Sequence, residues 1–174
     1  RNFEIFRDLL DAHGLSPFAR PFLLASGKRQ TLCYKEDIES ALRTPGMAGF
    51  ELLDLHDFPG QGTALVGVLD PFWESKGYVS AAEFARFCGP TTPLARLPRR
   101  VVTVGDPFEV TFEAAHYGPE PTLPVQPVWR LTDAAGRIRA TGSLPVATLE
   151  RGKVNSLGRV NPDFNACAAP SACR

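Results

Sequence analysis

The sequence predicts an α/β segment followed by an all-β unit of immunoglobulin-like sandwich type, with the join near residues 90–100. Three observations predict this. Short apolar runs alternate with helix-period segments as far as Pro90, a stretch rich in Pro and Arg follows at 91–100, and period-two alternation begins beyond it. Alternating helix and strand implies parallel pairing. Period-two alternation broken by tight turns implies antiparallel hairpins.

Residues 2–13 carry Phe3, Phe6, Leu9 and Leu10 at helical spacing, with charges between them and Gly14 as the stop. Residues 22–25 form a short apolar run before a polar turn at 26–28. Residues 31–34 read as a strand. Residues 36–43 fit a helix with Ile38, Ala41 and Leu42 on one side, ended by Thr44-Pro45-Gly46. Residues 50–55 are a second dense apolar run, the pattern of a strand covered on both faces. Pro59-Gly60-Gln61-Gly62 breaks it, and Asp70-Pro71 looks like an N-cap and first helical position. Ser80 and Glu83 have capping-box spacing, and Gly89-Pro90 closes that helix. In the second part Phe108, Val110 and Phe112 alternate with Glu109, Thr111 and Glu113. Trp129 and Leu131 lead into a turn at 133–136, with Ile138, Ala140 and Leu144 on the return strand, and another strand is expected near Val154.

Composition narrows the function classes. The 174 residues include 19 basic and 19 acidic side chains, so the formal net charge is zero. That removes the electrostatic basis for nucleic acid or an anionic membrane surface as partner. No apolar run approaches the roughly 20 residues of a membrane span. Arg1 opens a mixed charged segment without signal-peptide character, and Met47 is the only Met, so either a processed start or a longer protein with its N-terminal part upstream is expected, the second being favoured. The four cysteines form no Cys-x-x-Cys pair and the three histidines are dispersed, so no metal site is expected. Cys33 and Cys88 read as buried thiols.

Acidic residues are the chemically suggestive feature. In the segment TLCYKEDIESALRTPGMAGFELLDLHDFPGQ, Glu36 follows the first predicted strand, and Asp54, His56 and Asp57 close the second. Glycoside hydrolysis uses two carboxyl groups flanking the scissile bond, and in α/β barrels such groups stand at the C-terminal ends of strands. Glu36 is the best placed single carboxylate, with Glu39 one helical turn on as the fallback. A helix N-terminus also favours an acid at position 36 without any catalysis. Asp54 and His56 would share one strand face, fit to hold sugar hydroxyls or to hydrogen-bond nearby loop backbone, and Asp57 would point to the other. Gln61 is a substrate contact or a turn residue. Trp73, near Phe72 and Tyr78, offers an aromatic face for a sugar ring or for a core. His13 and His116 have no sequence partner and read as structural or surface residues.

The stretch TLCYKEDIESALRTPGMAGFELLDLHDFPGQGTALVGVLDPFWESKGYV resembles the end of the catalytic barrel of glycoside hydrolase family 2, the β-galactosidase and β-glucuronidase relatives. The resemblance spans roughly residues 1–160 and is most specific from Tyr34 to Tyr78. It implies the last βα units of a (β/α)8 barrel at 1–92, an immunoglobulin-like β-sandwich at 93–165, and a disordered or aberrant tail at 166–174. By the same resemblance Glu36 would be the nucleophile, residues 53–58 would be the eighth barrel strand, and the parent would cleave a terminal β-linked sugar with retention through two carboxylates; Asp54, His56, Asp57, Gln61 and Trp73 are the expected substrate contacts. No cofactor is implied. The acid/base Glu, which follows Asn in that family, has no counterpart because the chain contains no Asn-Glu dipeptide. The missing N-terminal barrel segment would be the partner, and the parent would be periplasmic or secreted if it carries a signal peptide. The rival readings are a non-catalytic carbohydrate-binding module centred on Trp129, and a truncated reading frame without activity.

Overall fold

The computed structural model describes residues 2–61, 65–164 and 172. The chain divides into two compact units, one of residues 1–41 with 48–88, the other of residues 42–47 with 89–174. The aperiodic tail at 166–174 lies outside the described residues apart from Ala172.

The first unit is helical where parallel strands were expected. Helix α1 runs Asn2–Ala12, a 3-10 turn follows at Ser16–Phe18, and α2 continues from Ala19–Arg43. The segment 31–34 is therefore the middle of a 25-residue helix. Local bonds at helical spacing explain why. Thr31 Oγ1 donates to the Gly27 carbonyl at 3.0 Å, one turn back. The Gln30 amide reaches the Tyr34 hydroxyl at 3.3 Å, and Lys35 pairs with Glu39 at 2.7 Å, both at i,i+4. Pro45, which excludes helical geometry at the residue before it, follows the end of the helix.

Residues 50–55 form no strand either. Leu53 lies in a turn, 85% exposed, and Phe50 and Leu55 are also exposed. A strand needs a neighbour for its backbone N–H and C=O groups, and with 31–34 coiled into α2 the expected parallel partner does not exist. What remains is an isolated parallel bridge between His56 and Leu69. The expectation of terminal βα units of a (β/α)8 barrel is corrected accordingly: this unit is two helices, a long folded loop and one short helix. Asp70-Pro71 likewise opens a turn instead of a helix. The short helix α3, Ala81–Ala85, does carry the Ser80–Glu83 capping box, with both reciprocal bonds formed. Cys33 and Cys88 are exposed, not buried.

The second unit is antiparallel throughout. Strands β1 (Thr91–Arg96), β2 (Val110–His116) and β7 (Lys153–Val160) make one sheet in the order β1-β2-β7. Strands β3 (Thr122–Val125) and β6 (Ala147–Glu150) pair separately, as do β4 (Val128–Thr132) and β5 (Ile138–Ser143). This arrangement of one three-stranded sheet and two ribbons replaces the expected immunoglobulin-like sandwich. A bulge at Phe112/Glu113 is accommodated opposite Gly158, whose φ of +125° disfavours any side chain. The core holds Leu94, Val110, Ala114, Ala115 and Leu149. The turn at 133–136 forms where the sequence indicates. Asp133 Oδ1 accepts the N–H groups of Ala135 and Arg137, both at 3.0 Å, and its Oδ2 takes the guanidinium groups of Arg137 and Arg139 at 2.8 and 3.1 Å.

Candidate functional site

The side chains with the richest chemistry in the first unit converge on the backbone of Val66 and Gly67. From α2, the Tyr34 hydroxyl donates to the Val66 carbonyl at 2.8 Å, and the Gln30 amide donates to the same oxygen. From the loop before α3, the Tyr78 hydroxyl lies 2.9 Å from the Gly67 carbonyl and 3.0 Å from Gln30 Oε1, one proton shared between two acceptors. Burial, then the Asp57 carboxylate and Tyr34, push the Tyr78 hydroxyl above its ordinary pKa, which keeps it a donor.

Asp57 and Lys76 complete this cluster. Asp57, 3% exposed, accepts the Gly67 N–H at 3.0 Å and the Lys76 ammonium at 2.6 Å on Oδ1. The same ammonium donates to the Gly67 carbonyl at 2.7 Å. Burial of this pair is tolerated because each charge meets its opposite and further hydrogen bonds besides. Gly67 is required here by space: a Cβ on it would lie 2.2 Å from the His56 carbonyl carbon. The two segments thus touch backbone to backbone, with the Asp57 N–H on the Leu69 carbonyl at 3.0 Å and the Leu69 N–H on the Leu55 carbonyl at 3.1 Å.

That scaffold fixes His56 and Trp73 side by side. The rings lie 4.5 Å apart, centroid to centroid, tilted by 48°. His56 Nδ1 is 2.7 Å from the Asp57 carbonyl, which can only accept, so Nδ1 carries a proton, and in the uncharged form of the ring Nε2 is an acceptor. Trp73 is 60% exposed and has φ +67°, a left-handed conformation that costs a non-glycine residue about 1–3 kcal/mol. The turn around Asp70 imposes it. Asp70 Oδ1 accepts the N–H groups of Phe72 and Glu74, both at 2.9 Å, and the Asp70 carbonyl accepts the Trp73 N–H at 3.1 Å. The Trp73 indole is thus exposed to solvent beside the His56 imidazole.

Of the residues singled out in sequence, His56, Asp57 and Trp73 are brought together, although Asp57 serves the scaffold. Asp54 is half-buried in the turn at 53–54, and the backbone of Gln61 ends the 3-10 turn Pro59–Gln61. Glu36 is an exposed residue in the middle of α2, and Glu39, a turn further on, is buried against Lys35. The helix removes the strand-end position that singled out both glutamates. The sequence reading missed Gln30 and Tyr34 because α2 was not recognised, and the i,i+4 pairs Gln30–Tyr34 and Lys35–Glu39 carried that signal. Lys76 was missed because its partners Asp57 and Gly67 are 19 and 9 residues away and no local spacing announces them.

In the second unit Trp129 packs on Gly142, its cross-strand partner, where a Cβ would lie 2.8 Å from the indole nitrogen. It also lines a cavity of about 320 Å³ with Phe112, Glu113, Leu144 and Leu149. His116 is fully buried, its Nε2 donating to the Glu120 carbonyl at 2.9 Å and its Nδ1 2.8 Å from the Thr91 hydroxyl, which makes it a structural clamp. Among the described residues, no group of three or more His, Cys, Asp or Glu side chains could hold a metal ion.

Residues 106–174 match a domain of unknown function, DUF8488, which covers less than half of the chain. No curated protein matches the chain.

Proposed function

We propose that this chain recognises carbohydrate as part of a glycoside hydrolase, and that its own contribution is to hold a sugar ring against Trp73. The observation that carries the reading is the Trp73 indole, exposed in a left-handed backbone conformation beside His56. A sugar ring presents C–H groups on one face and hydroxyls at its edge, so an aromatic platform flanked by an acceptor matches both. The substrate class, a terminal β-linked sugar, rests on the sequence resemblance of residues 34–78 to glycoside hydrolase family 2, without the barrel strands of that family. Hydrolysis by a retaining two-carboxylate mechanism rests on that resemblance alone. With Glu36 and Glu39 both on α2, the purified chain is expected to bind without turning over aryl β-glycosides.

Saturation-transfer NMR with methyl β-galactopyranoside tests the reading. Ring-proton signals are expected from the unaltered chain, absent from Trp73→Ala and retained in Trp129→Ala. Signals lost only in Trp129→Ala would favour the second reading, a carbohydrate-binding module using the cavity beside Trp129. No signal from the unaltered chain would refute both.

A further inference from the structure

We infer that the α1–α2 segment is a self-association surface, on which α1 of one copy packs against the first half of α2 of another. Helix α1 buries none of its residues. Phe3, Phe6 and Leu9 on α1, Phe18 in the 3-10 turn, and Phe22 and Leu23 at the start of α2 are each more than half exposed. Single exposed apolar residues are ordinary, but six large ones within the 21 positions from Phe3 to Leu23 are a concentration that marks an interaction site. An isolated helix of 11 residues is marginal in water, so α1 needs a surface to pack on.

Charge identifies that surface as a second copy. Helix α1 carries Glu4, Asp8 and Asp11 against the single base Arg7. The part of α2 from Ala19 to Tyr34 carries Arg20, Lys28 and Arg29 and no acid. An acidic amphipathic helix and a basic apolar one are complementary, and each chain possesses both. A two-fold pairing therefore satisfies both surfaces twice, which is the self-complementarity an isologous dimer requires. Aromatic side chains offer about 150–250 Å² each. Six half-exposed large residues thus supply most of the roughly 800 Å² per partner of a standard interface. This inference is independent of any role in sugar binding.

Sedimentation velocity of the full chain at micromolar concentration tests it. A species of twice the chain mass is expected. Phe6→Asp is expected to give monomer, and the pair Asp8→Lys/Asp11→Lys to weaken the dimer by roughly tenfold or more. Adding Lys28→Glu/Arg29→Glu to that pair is expected to restore it, a rescue that unfolding of α1 would not allow. A monomeric unaltered chain, or a dimer indifferent to the charge reversals, would overturn the inference.

Discussion

Gly27→Ala puts two opposing effects in the same residue. Gly27 lies inside α2, where alanine is favoured over glycine by about 1 kcal/mol. Yet the added Cβ would lie 2.2 Å from Tyr78 Cδ1 and 2.4 Å from its Cε1, because the ring packs directly on the glycine. The ring cannot swing aside freely, since its hydroxyl bonds both Gln30 and the Gly67 carbonyl. Overpacking of this kind costs about 1–3 kcal/mol, and each hydrogen bond given up costs about 1 kcal/mol more. The collision outweighs the propensity gain, and a net destabilisation of roughly 1–3 kcal/mol is expected. Urea denaturation in a Trp129→Phe background reports on the first unit through Trp73 fluorescence. In a Tyr78→Ala background the obstacle is gone, so the same substitution is expected to stabilise by up to about 1 kcal/mol. A Gly27→Ala chain as stable as its parent, or an effect of the same sign in both backgrounds, would refute this reasoning.

Other predictions follow from the buried polar groups. Lys76→Met leaves the Asp57 carboxylate buried without its counter-charge and is expected to cost about 3 kcal/mol, whereas Asp57→Leu/Lys76→Met is expected to cost less than that single change; chemical denaturation of the three chains decides it. His116→Ala removes two buried hydrogen bonds and leaves a cavity in the second unit, and a loss of about 2–4 kcal/mol is expected in the same assay. The Arg137 backbone N–H above all, with the Arg137 and Arg139 guanidinium groups, holds the Asp133 carboxyl down to about 2. Because this folded value lies below the ordinary aspartate value of about 3.9, the contribution is complete above pH 4 and is lost as pH falls toward 2. Asp133→Asn is expected to remove that part of the acid sensitivity, read as unfolding midpoint against pH.

Elements whose sequence signals do not depend on a distant partner were legible. The helical stripe at 2–13, the Ser80–Glu83 box and the turn at 133–136 all form as the local chemistry requires. The run TLCY misled because a β-branched and aromatic tetrapeptide fits a strand or a buried helical turn equally well, and only its flanks decide. The helix formers KEDIESALR after it, with the Lys35–Glu39 pair, carried the segment into α2. Once that strand was lost, the run at 50–55 had no partner either, and the carboxylates at two supposed strand ends separated into a helix and a loop. His56 and Trp73 could not be paired from sequence, because the backbone contact at Gly67 that brings their segments together is tertiary. The exposed position of Trp73 depends on a backbone conformation that its residue type disfavours.

A ¹⁵N chemical-shift titration of the two tryptophan indole N–H signals with methyl β-galactopyranoside tests the sugar-binding proposal at its contact atom. The Trp73 signal is expected to move saturably while that of Trp129 stays in place. Two unmoved signals, or movement of Trp129 alone, would contradict the assignment of Trp73 as the sugar platform.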